Sequence, residues 1–198
     1  VFSFDFGKNI TCGEGGAICT PNDDYYEFVR AYHDHGHMNQ AGIPRGLDGI
    51  AMPGFNYRMT EISAAMGIVQ LNKLDQIVEQ NKIRYRSLEE GLLAKIETRK
   101  IPDKARPSFD TFIFRVENEV VRTRMVEKLN ELGFGTKNLP DAMRWHCAYF
   151  WGHLFTDSHS ESIIMAHERL MQSVAVPIWL SRSVDDYANL SKALNELF

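Results

Sequence analysis

The sequence predicts an α/β fold, and three observations support this prediction. Short apolar runs bounded by glycine and proline, which are typical of strands, are followed by stretches with helical periodicity. Strand and helix patterns alternate in the C-terminal half, as in a small α/β layer. The chain has 198 residues, 44% of them hydrophobic and 24% charged, which suffices for one large core or for a domain with an appendage.

The first elements are two short strands and a helix. Residues 1–4 are predicted to end one strand, and residues 17–20 to form the next. Asn22 is a suitable N-cap for a helix over residues 23–32, because its side-chain oxygen can accept a hydrogen bond from the first turn. The aperiodic stretch 33–54 is predicted to be a long ordered loop, and loops of this length are often functional.

Helical periodicity returns at Thr60, which is suited to be an N-cap, and continues to about residue 92. Apolar residues from Ile62 to Leu74 recur on one face of this region. Small residues around Gly67 would let another segment approach closely. The pattern is compatible with one long bent helix or with two helices.

The C-terminal half follows a proline-flanked linker at residues 102–107. Gly133 is predicted to end a helix, and Ser183 with Asp186 forms a potential capping box for the last one. The predicted order is strand 109–116, helix 120–132, strand 134–139, helix 160–172, strand 174–177 and helix 183–197.

Composition argues against several classes of function. A net charge of −4 provides no basic surface for nucleic acid or for an anionic membrane. The apolar runs are far shorter than the ~18 residues of a membrane span. Cys12, Cys19 and Cys147 lack metal-ligand spacing, which favours reduced thiols in a cytosolic protein.

Three histidines alternate in the long loop: His33, His35 and His37. On an extended segment their side chains would project to one side, an arrangement compatible with metal ligation. No obvious carboxylate or cysteine partner accompanies them, so no metal site is predicted.

Lys8 is the residue best suited to covalent chemistry. It follows the first predicted strand and precedes the glycine cluster at residues 13–16, so it should lie on a tight loop. A lysine that is held out of water has a lowered pKa, and its neutral amine attacks carbonyl groups. The alternative for a lone lysine is a solvated loop residue.

Two strings resemble the signatures of one enzyme family. Residues 3–17, SFDFGKNITCGEGGA, resemble the cofactor-lysine segment of the DegT/DnrJ/EryC1 sugar aminotransferases, and residues 54–61, GFNYRMTE, resemble their other signature. The resemblance implies the fold-type I, aspartate aminotransferase-like fold of pyridoxal 5′-phosphate (PLP) transferases. It spans this whole chain but only about the C-terminal half of a family member, and the start in mid-strand without methionine also suggests that part of the protein lies upstream.

This resemblance implies a domain organisation. Residues 1–100 would end the large PLP-binding domain and include its long dimer-forming and connecting helices. Residues 101–198 would form the small C-terminal α/β domain. The family's acid partner for the pyridine nitrogen and its ring-stacking residue precede the lysine, where this chain has seven residues.

The resemblance also assigns site residues. Lys8 would form the Schiff base with PLP, and Ser3 would place its hydroxyl near the cofactor phosphate. Asn56 would reach the phosphate in the neighbouring subunit, which implies a homodimer with a shared active site. Arg58 lies two residues further on, on the same face of an extended segment, and could hold a substrate carboxylate or phosphate or form a rim salt bridge.

The implied activity is transfer of an amino group, typically from glutamate, to a keto or aldehyde sugar for lipopolysaccharide or another surface glycan, in the cytoplasm. His146 lies near a position where family members carry a substrate-lining histidine. Lys137 follows Gly135-Thr136, where the family usually has a histidine and an aromatic residue. It could pair with an acidic sugar, as in 8-amino-3,8-dideoxy-octulosonate transaminases, or be solvated.

Two alternatives remain. PLP-dependent sugar dehydratases of the same family carry histidine in place of the lysine, so Lys8 argues against that branch. A non-catalytic dimerisation or binding fragment would be consistent with the missing upstream half of the site.

Overall fold

A computed structural model describes residues 1–44, 46–49, 52–92, 96–156 and 160–198. The chain forms two compact units, Val1–Leu74 and Asp75–Phe198. Strands and helices occur in both, in agreement with the predicted α/β class. The domain boundary that the sequence predicts near residue 100 stays a prediction.

The first unit contains a two-stranded hairpin and two helices. Strands β1 (Phe2–Ser3) and β2 (Gly16–Ala17) pair antiparallel. The strand predicted over residues 17–20 is wrong beyond Ala17, because only Gly16 and Ala17 lie opposite β1. The helices are α1 (Asp23–Tyr32) and α2 (Glu61–Leu71).

Both helices begin where the sequence predicts. The Asn22 side chain accepts a hydrogen bond from the Tyr25 N–H at 2.8 Å, and the Thr60 hydroxyl accepts one from the Ser63 N–H at 3.2 Å. Each cap pairs a backbone donor that the helix itself leaves unpaired. Helix α2 ends at Leu71, and the next helix begins separately, so the region contains two helices rather than one.

The second unit is built on a three-stranded antiparallel sheet in the order β3-β4-β5. The strands are β3 (Glu97–Thr98), β4 (Thr111–Arg115) and β5 (Ser173–Pro177). The helices are α3 (Leu74–Gly91), α4 (Glu119–Glu131), α5 (Met143–His146), α6 (Glu161–Met171) and α7 (Val184–Asn195), with a 3-10 turn at Ala148–Phe150.

The core of this unit lies on one face of the sheet. Phe112 and Phe114 alternate along β4 and stand opposite Val176 and Val174 of β5, so all four side chains share that face. Helices α3, α4 and α7 cover them with Tyr85, Leu88, Met125, Leu129, Tyr187, Leu190 and Leu194.

The strand predicted over residues 134–139 is wrong. The segment does exchange backbone hydrogen bonds with β5, from Lys137 N–H to Ala175 at 2.9 Å and from Ala175 N–H to Leu139 at 3.2 Å. However, Gly135 and Asn138 have φ angles of 65° and 67°, which no extended strand allows.

Several other local signals are confirmed. Gly133, at φ 71°, follows the end of α4, and Ser183 with Asp186 forms the capping box of α7. Strand β3 and helix α5, which are only two and four residues long, were not predicted from the sequence. None of the helices in the described ranges combines the length and apolarity needed to cross a bilayer.

Candidate functional site

Lys8 lies on the loop that joins β1 to β2. The loop is tied at both ends, because the Phe4 N–H donates to Gly15 at 2.9 Å and the Phe4 carbonyl accepts from Cys12 N–H at 3.0 Å. Within the loop, the Asp5 carbonyl accepts a hydrogen bond from the Lys8 N–H at 3.2 Å. A closed turn therefore fixes the backbone of Lys8.

The side chain of Lys8 is accessible. It is 51% exposed, and its Nζ lies 3.6 Å from Oδ2 of Asp5. The described residues therefore leave the amine open to solvent, and burial of Lys8 in the complete site stays a prediction. Exposed ion pairs of this kind contribute little energy, so Asp5 does not immobilise the amine.

Two glycines make the tight loop possible, as predicted. A Cβ on Gly15 would lie 2.8 Å from the Sγ of Cys12 and 2.8 Å from the methyl carbon of Met59. A Cβ on Gly16 would lie 2.8 Å from the Phe2 carbonyl oxygen. Met59 follows the Asn56–Arg58 string, so the lysine loop and that string meet at Gly15.

Ser3 stands at the end of β1, on the same loop as Lys8. Its hydroxyl accepts a long hydrogen bond of 3.5 Å from the Asp5 N–H. The hydroxyl proton is still available for donation to an anion. The structure thus places Ser3 and Lys8 together on one short, fixed segment.

Asn56 and Arg58 lie on an extended segment that packs against the residues after α1. Asn56 forms an antiparallel bridge with Asp34. On either side of the bridge, the Tyr57 N–H donates to His33 at 2.8 Å and the His35 N–H donates to Phe55 at 3.0 Å. Both Asn56 and Arg58 are exposed residues.

Arg58 forms an ion pair with Asp34. One guanidinium nitrogen bonds Oδ1 of the aspartate, whose side chain is only 10% exposed, whereas that of Arg58 is 37% exposed. Of the two roles considered for Arg58, the observed one is the salt bridge. A substrate anion would meet a guanidinium that already has a carboxylate partner.

The alternating histidines take part in loop packing. Nδ1 of His37 lies 3.0 Å from Oδ1 of Asp48, and the Asp48 carboxylate also accepts from the N–H groups of Asn39 and Gly46. Burial alone would raise the pKa of Asp48, but these hydrogen bonds outweigh it and lower that pKa below its ordinary value. No set of three metal-ligating side chains occurs within the described ranges.

Lys137 has an acidic partner in the second unit. Its Nζ lies 2.6 Å from Oδ2 of Asp110, and both side chains are about three-quarters buried, with 27% and 29% exposed. Burial alone would raise the pKa of Asp110, but hydrogen bonds from Lys137 and Ser108 lower it below the ordinary value. The charge of Lys137 is therefore already balanced.

His146 ends α5 with an exposed ring, next to Trp145, which is 81% exposed. In the aromatic segment that follows, Tyr149 stacks on His167 with 3.9 Å between ring centroids, whereas Phe155 is 54% exposed. His146 and Trp145 lie in the second unit, together with Lys137.

Sequence reasoning missed three carboxylates that pair with basic side chains within each unit. Asp34, Asp48 and Asp110 are each paired with a basic side chain and largely buried. The partners of Asp34 and Asp110 are 24 and 27 residues away in the chain. No local pattern signals such pairs, and only the fold brings them together.

A lysine on a glycine-bounded hairpin, an adjoining Asn-x-Arg segment and a small α/β unit agree with the fold-type I fold that the sequence resemblance implies. The chain belongs to the DegT/DnrJ/EryC1/StrS aminotransferase family, which matches residues 1–194.

Three known proteins illustrate the similarity. The lipopolysaccharide biosynthesis protein RfbH of Salmonella typhimurium is 27% identical over 162 residues, covering 69% of this chain and 37% of RfbH. Helicobacter pylori PseC, an aminotransferase involved in the biosynthesis of pseudoaminic acid, superposes with a TM-score of 0.80 at 18% identity, covering 100% of this chain and 52% of PseC.

Streptococcus pneumoniae Spr1654, in its PLP form, gives a TM-score of 0.69 at 18% identity over 98% of this chain and 51% of its own. The likeness to both solved structures concerns the fold. The chain spans about half the length of these solved proteins.

Proposed function

We propose that this chain is the C-terminal part of a PLP-dependent aminotransferase that acts on a sugar. The amino group would pass from an amino acid, most simply glutamate, to a keto or aldehyde sugar in lipopolysaccharide or surface-glycan synthesis. Family membership supports the reaction class. The similarity to RfbH, a lipopolysaccharide biosynthesis protein, supports a role in lipopolysaccharide synthesis. Three free cysteines, one of them exposed, are consistent with a cytoplasmic protein.

The observation that carries this proposal is the position of Lys8. Its backbone is fixed by a closed turn, while its amine is accessible and, among the described residues, forms a weak ion pair with Asp5. These are the properties of an amine that must hold a cofactor aldehyde and later release it. The neighbouring Ser3 hydroxyl can donate to a phosphate, so the residues present fit PLP.

The roles of the residues follow from this arrangement. Lys8 would hold PLP at its aldehyde carbon, and Ser3 would bind the phosphate. PLP, when bound, supplies the electron sink for bond breaking at the carbon that carries the amino group. Once freed, the Lys8 amine would carry a proton between the donor carbon that bears the amino group and the aldehyde carbon of the cofactor, and Asp5, whose Oδ2 lies 3.6 Å from Nζ, would stabilise its ammonium form.

The partner and substrate assignments extend the same proposal. Asn56 is exposed, as required for contact with the phosphate of a neighbouring subunit in a homodimer. Arg58, His146 and Lys137 remain candidates for substrate binding. An acidic sugar of the octulosonate type would have to displace Asp110 from Lys137, which makes a neutral keto or aldehyde sugar the simpler substrate.

Absorption spectroscopy of the full-length protein tests the proposal. Wild-type protein with added PLP should show a visible band that is lost in Lys8→Ala and retained in Lys192→Ala, an exposed lysine on α7. A band that survives in Lys8→Ala would refute the role of Lys8. Wild-type protein without any band would favour a non-catalytic binding fragment.

A further inference from the structure

Asp34 is a buried carboxylate to which the proposed reaction gives no role. The residue is 7% exposed and lies between His33 and His35. A carboxylate in such a place needs a charged or hydrogen-bonding partner, because its desolvation is otherwise costly. Arg58 supplies the charge from 24 residues further along the chain.

Asp34 is also bound to the Asn56 segment through the backbone. It stands opposite Asn56 in the antiparallel bridge, so the two side chains lie on the same face. Arg58 is two residues beyond Asn56 and shares that face. The ion pair between Asp34 and Arg58 therefore crosses the bridge diagonally and holds the segment that carries Asn56.

Glycines secure the other end of this segment. A Cβ on Gly36 would overlap the carbonyl group of Met52, and a Cβ on Gly54 would lie 2.7 Å from the Tyr32 carbonyl oxygen. The Phe55 N–H donates to that same oxygen at 2.8 Å. Backbone contacts thus fix the segment before Asn56. After Asn56, the backbone hydrogen bond from Tyr57 to His33 and the side-chain ion pair of Arg58 with Asp34 hold it together.

We infer that Asp34 is a positioning residue, which holds Asn56 in place for the cofactor phosphate through its ion pair with Arg58. The inference rests on the proposed function, in which Asn56 contacts that phosphate. Asp34 itself would touch neither cofactor nor substrate. Its effect should therefore depend on the phosphate and on the Asn56 side chain.

The test compares PLP with pyridoxal, which lacks the phosphate, in the apo form of the full-length protein. Affinity is read from the Lys8-dependent absorption band. Asp34→Asn should weaken PLP binding by about ten-fold, the order of one charge-assisted hydrogen bond, and leave pyridoxal binding unchanged. Asp48→Asn is the matched control, because the Asp48 side chain is only 2% exposed and its hydrogen-bond partners among the described residues, His37, Asn39 and Gly46, lie outside the Asn56 segment. This control should leave the ratio of the two affinities at its wild-type value.

A double-mutant cycle shows whether Asp34 acts through Asn56. In an Asn56→Ala background, Asp34→Asn should cause no further loss of PLP affinity. An equal loss for PLP and pyridoxal, or a loss that persists without Asn56, would overturn the inference. If Asp34→Asn does not fold, Arg58→Gln removes the other partner of the pair at a partly exposed position, and the same outcomes apply.

The same measurements separate the inference from the proposed function. If Asn56→Ala weakens PLP binding but Asp34→Asn does not, the inference alone is refuted. If the wild type gives no Lys8-dependent band, or Asn56→Ala leaves PLP affinity unchanged, the proposed assignment of the site fails and the inference fails with it.

Discussion

Three basic side chains that the sequence singles out each have a carboxylate nearby, and the degree of burial separates their roles. Lys8 and Asp5 form an exposed, loose pair, so the lysine amine keeps its mobility. Arg58 and Lys137 bind Asp34 and Asp110, whose side chains are mostly buried, and are held in place. A mobile amine suits covalent chemistry, whereas held cations suit positioning and packing.

The pair of Lys137 and Asp110 should make stability sensitive to acid. The folded-state pKa of Asp110 is lowered from its ordinary value of 3.8, so its stabilisation is present above that value and is lost as pH falls through the lower folded-state pKa. We expect the free energy of unfolding of the wild type to fall more steeply below about pH 4 than that of Asp110→Asn.

Urea unfolding followed by tryptophan fluorescence at several pH values measures this difference. The three tryptophans of this chain, Trp145, Trp151 and Trp179, all lie in the second unit with Asp110. Asp103→Asn, at an exposed carboxylate in the preceding linker, should keep the wild-type slope. Equal slopes for wild type and Asp110→Asn would contradict the account of this pair.

At the scale of elements, the loop after α1 depends on the close approach of Gly36 to the Met52 carbonyl group. Gly36 and Gly42 have φ angles of 81° and 82°, but only Gly36 has another backbone group where a Cβ would be placed. Gly42→Ala should therefore cost about 1 kcal/mol from backbone conformation alone. Gly36→Ala should cost roughly 1–3 kcal/mol more, because its methyl group collides with the Met52 carbonyl.

Chemical denaturation of the full-length protein gives both values under the same conditions. The pair of variants is matched in φ, so the difference between them isolates the collision. Equal destabilisation by the two alanine variants would show that a Cβ at residue 36 does not collide with the Met52 carbonyl group.

Elements with strong local signals could be predicted from the sequence. The helix N-caps at Asn22, Thr60 and Ser183 depend on side chains that bond the backbone three residues away, so the sequence alone contains the information. Residues 134–139 have the composition of a strand, but φ angles above 60° at Gly135 and Asn138 end the extended conformation. The backbone hydrogen bonds of this segment go to β5, which is distant in sequence.

The same distinction applies to the candidate site. Lys8, Ser3, Asn56 and Arg58 lie in two short strings that a reader can match to a family. The ion pair between Asp34 and Arg58 and the exposure of Lys8 depend on tertiary structure, so neither could be predicted from the strings.

At the scale of the whole molecule, α2 shows that the described chain leaves apolar surface uncovered. The helix has no buried residue, and Ile62, Ile68 and Leu71 are each more than half exposed. An apolar surface of this kind is typical of an interface. In the proposed homodimer, in which Asn56 contacts the cofactor of the neighbouring subunit, this apolar surface of α2 would lie in the subunit interface.

Subunit mixing tests the shared active site. Lys8→Ala and Asn56→Ala impair different residues of one site, and in a mixed dimer both changes fall in the same site while the other is intact. Two impaired variants should therefore regain up to about a quarter of wild-type activity when unfolded and refolded together, because half of the dimers are mixed. A mixture no more active than its components would contradict the sharing of Asn56 between subunits.

The most direct test of the account is to identify the residue that holds the cofactor. The full-length protein is loaded with PLP, reduced with borohydride to make the carbon–nitrogen bond permanent, digested and analysed by mass spectrometry. The account predicts a phosphopyridoxyl group on Lys8, in the peptide that contains the GKNITCGEGG string. A cofactor bound to another lysine, or an unmodified Lys8 in fully loaded protein, would contradict it.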